Sequence, residues 1–176
     1  MKKLSLAAIF ILAFVVTGCA SFPKDDIEIE TEADPTVKFS GYKTYAILGS
    51  AEIIHDPDGS WEPSGLDADA EIEFLINEQL RKRGMTVTRT NPDVLIAYAL
   101  GIDTAMTKFK EDPETQVKVL ENVPQGALVI AMMDANTEIV TWAGVAVGEL
   151  QNQGEEIAKL RLNYVVTEMF KQMPKD

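Results

Sequence analysis

The chain has 176 residues, of which 46% are hydrophobic and 25% are charged, a composition typical of one folded domain and not of a disordered chain. It carries 28 acidic and 16 basic residues, which gives a net charge of −12. Because such a surface repels phosphate backbones, the charge argues against nucleic acid as a partner.

The N-terminus has the pattern of a secretion signal. Lys2 and Lys3 precede an apolar run over residues 4–16, which is shorter than the roughly 20 residues that a membrane-spanning helix needs. The run leads into Val-Val-Thr-Gly-Cys at residues 15–19, which resembles the lipobox of bacterial lipoproteins. We therefore predict a signal peptide at residues 1–18 and lipid attached to Cys19. The alternative is a plain signal peptide followed by an incidental cysteine.

Cys19 is the only cysteine, so a lipidated chain has no disulfide. Two or three acyl chains on it would hold the protein on the membrane far more firmly than one chain does. Resemblance to sorted lipoproteins implies the periplasmic side of the outer membrane, because Ala20 stands where an aspartate favours the inner membrane. Residues 19–26 are predicted to form the lipidated cysteine and a short tether, and residues 27–176 a single domain.

The first half of the domain is predicted to contain two strands and a helix. Residues 27–32 alternate isoleucine with acids, which favours an edge strand over a solvated linker. Residues 42–48 are aromatic and β-branched and predict a second strand, and residues 49–65 contain two prolines and predict a loop.

The helix that follows is predicted from an apolar stripe with helical spacing. Ser64, with Asp67 three residues on, is the predicted N-terminal cap, and Gly84 ends the helix. The basic residues 81–83 lie in its last turn, where cations suit the helix dipole; an anion site is the alternative. The stripe consists of Ile72, Leu75, Ile76 and Leu80.

The second half is predicted to be mainly strands. Residues 85–89 form one, and the nearly continuous apolar run at 94–102 indicates a central strand buried on both faces. Residues 103–126 stay unassigned, although Val117 and Val119 suit a strand. Residues 127–133 and 138–150 predict a hairpin, and a helix follows at 154–173. This order predicts an α+β fold: a single, mostly antiparallel sheet of about six strands, with both helices packed on one face as a two-layer sandwich.

Three segments resemble the domain-of-unknown-function 4136 family of bacterial lipoproteins. They are Phe-Ser-Gly-Tyr-Lys-Thr-Tyr-Ala at residues 39–46, the stretches 80–85 and 91–98, of which the latter begins with Asn-Pro-Asp, and residues 126–174 from Gly-Ala-Leu-Val-Ile to the end of the last helix. Ile47 departs from the tryptophan that the family often has there. The resemblance implies an α+β lipoprotein domain, and it implies no activity and no functional residues.

Catalytic chemistry finds little support in the residues. His55 is the only histidine, in a turn-like stretch that predicts an exposed loop, and Cys19 is assigned to lipid. One histidine and one cysteine are too few for a zinc site. The acids around Gly59 only faintly resemble a calcium loop, because its twelfth position is Asp67 and not glutamate. We therefore predict no enzyme, no cofactor and no metal.

Two places are candidate contacts for an envelope protein partner. Trp61 lies in the 49–65 loop, where it could anchor a partner or pack over the sheet edge; Trp142 is instead predicted in the core. Lys108, Phe109 and Lys110 place an aromatic residue between two cations in an acidic protein, which suits an acidic or phosphate-bearing partner; the alternative is a solvated strand end.

These residues leave three functions open. The first is a membrane-anchored, non-enzymatic envelope lipoprotein that binds a partner or supports the envelope. The second is a small carrier of an apolar ligand such as a lipid, and the third is an unrecognised hydrolase. A filled core would favour the first, an apolar cavity of several hundred Å³ the second, and a buried carboxylate pair in a cleft the third.

Overall fold

The protein is described by a computed structural model that covers residues 22–59, 62, 65–111, 113–114, 116, 118–150 and 154–175. A short 3₁₀ helix, Phe39–Gly41, lies between the first two strands. In chain order the remaining elements are β1 (Glu28–Ala33), β2 (Thr44–His55), α1 (Ala68–Lys82), β3 (Thr86–Val87), β4 (Val94–Asp103), β5 (Thr107–Glu111), β6 (Lys118–Asn122), β7 (Gln125–Asp134), β8 (Val140–Glu149) and α2 (Gly154–Gln172).

Six strands form a mixed sheet in the order β1-β8-β7-β4-β2-β3, and β5 and β6 pair as a separate two-stranded sheet. The sheet is antiparallel from β1 to β4 and parallel from β4 to β3. The expectation of a single, mostly antiparallel sheet was therefore wrong. Helix α1 is the reason: as a crossover after β2 it returns the chain to the same end, so β3 and β4 run parallel to β2.

Strand β2 is longer than its sequence indicated. The loop predicted at 49–65 was wrong for residues 49–55, which pair with β4, and His55 is the last residue of the strand. The register shifts between Ile47 and Gly49, so Leu48 is the extra residue of a β-bulge. Gly49 has φ +124°, a conformation that residues with a Cβ rarely adopt. Before the bulge, the odd-numbered residues of β2 face the helices. Beyond the bulge, the even-numbered residues face them.

Both helices pack on the same face of the sheet. The N-terminal cap of α1 is Asp67, which accepts the N–H of Ala70 at 3.0 Å, and not Ser64 as predicted; Ser64 itself lies outside the described residues. The predicted stripe of α1 faces the sheet. The core joins residues from both helices and from four strands of the sheet, among them Ile72, Leu75, Ile76, Leu80, Val165, Val166, Met169, Phe170, Tyr45, Ile96, Ile130, Met132 and Trp142.

Trp142 is the largest side chain at the centre of this core. It is 1% exposed, and its ring centroid lies 5.2 Å from that of Phe170. The indole covers Gly144, where a Cβ atom would approach the ring to 3.1 Å, so the close packing requires glycine. The prediction that Trp142 is a core residue is confirmed.

The basic end of α1 caps the other helix. Arg83 donates to the carbonyl oxygens of Met173 and Pro174, each at 2.9 Å, and also to that of Phe170. These carbonyls belong to the end of α2, where backbone acceptors lack partners within the helix. Arg83 therefore ties the ends of α1 and α2 together.

Several other predictions changed or held. The strand predicted at 85–89 shrinks to Thr86–Val87, and the unassigned stretch 103–126 contains β5 and β6. Strand β1 is confirmed as an edge strand. Strand β4 is central, but only one of its faces is covered by helices in the described part of the chain. None of the described helices is long and apolar enough to cross a membrane.

Candidate functional site

A cavity of about 560 Å³ lies between the helices and one end of the sheet. It occupies the end where β2 and β4 finish, β7 begins and β8 finishes, near the N-terminal halves of α1 and α2. Ligand pockets in proteins commonly have volumes of about 300–1,000 Å³. Its wall is mainly apolar and includes Ile54, Leu100, Ile102, Leu128, Leu162 and Val165.

The polar side chains of the cavity are mostly acidic. Glu52, Glu62 and Glu149 line it together with Thr104 and Arg161. Lys108 approaches Glu149 at 3.7 Å, and Arg161 is engaged by Asp26. The excess of carboxylates makes the cavity unfavourable for an anionic group and compatible with an uncharged chain.

Arg161 fastens the N-terminal segment to the rim of this cavity. Its guanidinium donates to both carboxylate oxygens of Asp26, at 2.6 and 3.0 Å, and to the carbonyl of Glu149 at 2.9 Å. It also donates to the carbonyl of Pro23. Ile27, the residue after Asp26, is part of the cavity wall. The chain therefore enters the domain at the cavity rim.

The electrostatics of Asp26 favour this closed arrangement. Partial burial raises the pKa of Asp26, but the hydrogen bonds from Arg161 and from the N–H of Glu149 outweigh it and hold the pKa below its ordinary value. The carboxylate is thus ionised near neutral pH, and the paired side chains are only 13% and 15% exposed. The ion pair is sufficiently enclosed to hold the segment in place.

Residues before Asp26 pack along α2 as well. The ring of Phe22 meets that of Tyr164 edge-on, with centroids 5.8 Å apart, and the ammonium of Lys24 lies 5.0 Å from the same ring centroid. Residues 22–26, which the sequence assigned to the short tether, therefore contact α2. Only the residues before Phe22 separate the domain from Cys19, and these lie outside the described residues.

The opposite end of the sheet is tied by two aspartates. The carboxylate of Asp93 accepts the backbone N–H groups of Lys43 and Thr44, each at 2.8 Å, and these bonds lower its pKa. Asp134 accepts the hydroxyl of Tyr42 at 3.0 Å. Parts of all three segments that carry the family resemblance thus meet at this end, and the third segment also reaches the cavity at the other end.

Tyr98 donates a short hydrogen bond to the carboxylate of Asp69, with the two oxygens 2.6 Å apart. Burial and this hydrogen bond raise the pKa of Tyr98, whereas hydrogen bonds from Ser50 and Tyr98 lower that of Asp69. The phenol therefore stays neutral and the carboxylate ionised at pH 7. Neither pKa moves towards neutrality, as a general acid or base would need.

Among the predicted site residues, the structure describes the side chains of Lys108 and Phe109. Cys19 and Trp61 lie outside the described residues. Phe109 is 72% exposed and pairs across the hairpin with Leu120, which is 63% exposed. Because neighbours in a strand point to opposite faces, Phe109 and Lys108 point apart, and the side chain of Lys110 is not described. The aromatic residue and Lys108 are thus not one contact surface.

His55 is not in a loop but at the end of β2, where its Nδ1 lies 3.1 Å from Asp103. Its side chain is 64% exposed, in agreement with the expected solvent exposure. Among the described residues, no group of three or more histidines, cysteines, aspartates or glutamates could hold a metal ion.

Neither the cavity nor the role of Arg161 at its rim was predicted from the sequence. One signal was available: Arg161 shares a helix face with Ala158, Leu162 and Val165, and a cation on an apolar stripe indicates a buried ion pair. Its partner, Asp26, stands directly before the first strand pattern. The cavity itself has no sequence signal, because it depends on how far the helices stand from the sheet.

The fold and cavity define the class: a two-layer α+β domain with a pocket between its layers. Within that class, the chain belongs to the family described as Domain of unknown function (DUF4136), whose model matches residues 29–175. The resemblance noted in the sequence is therefore confirmed. No curated protein sequence matched the chain.

Solved structures resemble the domain at low sequence identity. A DUF4136 family protein from Bacteroides thetaiotaomicron is 13% identical, with a TM-score of 0.58, over 86% of this chain and 97% of that one. A PDZ domain protein from Parabacteroides distasonis is 16% identical, with a TM-score of 0.53, over 84% of this chain. The chain spans 36% of the length of the latter structure. At these identities the likenesses show a shared fold.

Proposed function

We propose that the protein is a non-enzymatic envelope lipoprotein, anchored through lipid on Cys19 to the periplasmic side of the outer membrane. In this proposal its cavity holds an acyl chain of a membrane lipid. The lipobox pattern at residues 15–19 supports the anchor. Of the functions that the sequence left open, a carrier of an apolar ligand suits a mainly apolar cavity of about 560 Å³ best.

The observation that carries the proposal is the position of the cavity at the entry of the N-terminal segment. Arg161 and Tyr164 hold residues 22–26 beside the rim. Cys19 is three residues before Phe22, a reach of about 10 Å at most. A lipid on Cys19 would therefore keep the cavity close to the bilayer, where acyl chains are the abundant apolar ligand.

The charges around the cavity support a chain whose head group stays outside. Glu52, Glu62 and Glu149 disfavour a buried carboxylate or phosphate, whereas the apolar wall gains free energy with each methylene that it covers, about 0.8 kcal/mol. The favoured occupant is therefore an acyl tail that enters from a membrane lipid, and not a free fatty acid.

The cavity can be tested with the neutral fluorophore N-phenyl-1-naphthylamine. Wild-type protein is expected to enhance its fluorescence, and Ala158→Phe is expected to abolish the enhancement, because Ala158 lines the cavity. Ala105→Phe, at an exposed position, is the matched control. Native mass spectrometry of protein extracted from membranes would then identify the acyl lipid. Equal fluorescence with both variants would contradict the proposal.

The anchor has its own test. Cys19→Ala is expected to remove labelling by radioactive palmitate, and Ala20→Asp is expected to move protein from the outer to the inner membrane on a density gradient. Labelling that persists without Cys19 would overturn the anchor. An unchanged gradient position would overturn the assignment to the outer membrane and leave the cavity proposal intact.

A second candidate function, docking of an envelope protein, is favoured by the exposed pair of Phe109 and Leu120 on the β5–β6 hairpin. Replacing Lys108, Phe109 and Lys110 together by serine is expected to remove crosslinks to such a partner. Unchanged crosslinks in a folded variant would remove the hairpin from consideration.

A further inference from the structure

The face of the sheet that points away from α1 and α2 is apolar and uncovered in the described part of the chain. Strand register defines three neighbouring rows of residues across five strands on this face. The middle row consists of Glu30, Val145, Val129, Ala99 and Ala51. The rows on either side begin with Glu28 and Glu32. We call these three rows the outer face.

Beyond its glutamates, the outer face contains only alanine, valine, isoleucine and glycine. Its larger side chains are open to solvent: Val129 is 37% exposed, Val145 39% and Ile53 64%. The largest apolar patch on a monomer typically covers about 300–600 Å² and is often a functional surface. The apolar run of β4, which predicts burial on both faces, has the same implication.

The three glutamates give the outer face a charged border along β1. Glu28, Glu30 and Glu32 all lie on the edge strand β1, and all three are exposed. An occupant of the apolar rows would therefore meet three carboxylates along one flank. The charge complementary to this border is a row of lysines or arginines.

The size of the outer face indicates what fits on it. With strands about 4.8 Å apart and a rise of about 3.4 Å per residue, its apolar part covers roughly 300 Å² in projection. A standard stable interface buries about 800 Å² on each partner, so this face is too small to hold a dimer by itself. A second copy would also bring its own −12 net charge and its own glutamates. A single helix or extended segment matches the area better.

We propose that the outer face docks a segment of another envelope protein that has an apolar stripe flanked by lysine or arginine. Such a segment would form a third layer over the sheet, opposite α1 and α2. The carboxylates of β1 would set its orientation and choice of partner, and the apolar rows would contribute the burial. Ala127 and Val147 of this surface also line the cavity, and the β5–β6 hairpin is not part of the surface.

The test is site-specific photocrosslinking of the full chain in cells. A benzophenone side chain at Val129 lies in the middle of the outer face, and one at Phe74, which is 62% exposed on α1, is the matched control. We expect a protein crosslink from Val129 and not from Phe74, with lysine or arginine beside apolar residues in the crosslinked peptide. No crosslink, or a crosslinked peptide without basic residues, would overturn the proposal.

Charge and self-association supply two further readouts. Replacing Glu28, Glu30 and Glu32 together by glutamine is expected to reduce the Val129 crosslink at least fivefold, because these exposed side chains are outside the core and the fold should persist. Circular dichroism checks the fold. An unchanged crosslink would contradict the charged border, and a crosslink to a second copy, or a dimer in sedimentation, would replace the proposed partner by the chain itself.

Discussion

The two ends of the six-stranded sheet are built differently. At the end where β2 and β4 begin, the carboxylates of Asp93 and Asp134 bind residues 42–44, and the space between the layers is filled by side chains such as Trp142. At the other end the layers separate around a cavity, and an ion pair between Arg161 and Asp26 holds the rim. The first end supplies stability, and the second leaves space for a ligand.

The comparison is tested most strongly by removing large side chains. Trp142→Ala should lower the free energy of unfolding by roughly 3–5 kcal/mol, because it leaves a void in the filled end. Leu162→Ala, beside the existing cavity, should cost less than about 2 kcal/mol, because its side chain is only partly buried. Chemical denaturation of both variants gives the two values, and equal losses would remove the distinction between the ends.

A smaller effect is expected from the ion pair at the cavity rim. Asp26→Asn should cost about 2 kcal/mol of local stability, because charged hydrogen bonds contribute about 1.5–3 kcal/mol. Hydrogen exchange of peptides from residues 22–33 should accelerate, whereas peptides from residues 41–46 should not change. Asp93→Asn is the matched comparison: it should accelerate exchange in residues 41–46 and leave residues 22–33 unchanged.

The same pair predicts a pH dependence. The folded pKa of Asp26 lies below its unfolded value, so its contribution is complete above about pH 4 and is lost as pH falls through the folded pKa. The hydrogen-exchange rate of residues 22–33 in the wild-type protein should therefore rise towards that of the Asp26→Asn variant only below about pH 4. Loosening between pH 5 and 7 would mean that another group controls the rim.

The smallest effect should come from adding volume. Leu100→Phe points into the cavity and should change stability by less than about 1 kcal/mol, whereas Ile130→Phe, in the filled core, should cost roughly 1–3 kcal/mol. Thermal unfolding of both variants sharpens the comparison. A large loss for Leu100→Phe would indicate that the cavity end has no spare space.

The sequence predicted the parts of the fold that depend on local pattern. The stripe of Ile72, Leu75, Ile76 and Leu80 located α1, and the alternation around Ile29 located the edge strand. Strand direction could not be predicted in this way, because a strand with a parallel neighbour and a strand with an antiparallel neighbour can have similar apolar sequences. The end of β2 was missed because the bulge at Leu48 breaks the alternation of its residues.

The candidate site was less predictable than the fold. The cavity depends on the distance between layers, which no local pattern encodes. Arg161 and Asp26 are 135 residues apart in sequence, so only the folded chain brings them together. Lys108 and Phe109 show the converse: neighbours in sequence are separated by the pleat of a strand.

The bulge at Leu48 gives β2 one residue that can be lost without changing either face of the sheet. The residues on either side of Leu48 pair with adjacent residues of β4, so Leu48 is the extra residue of the ladder. Deleting it would restore strict alternation and leave Glu52 and Ile54 facing the helices and Ala51 and Ile53 facing away. A one-residue deletion at this point would therefore leave the side chains of both candidate binding surfaces in place.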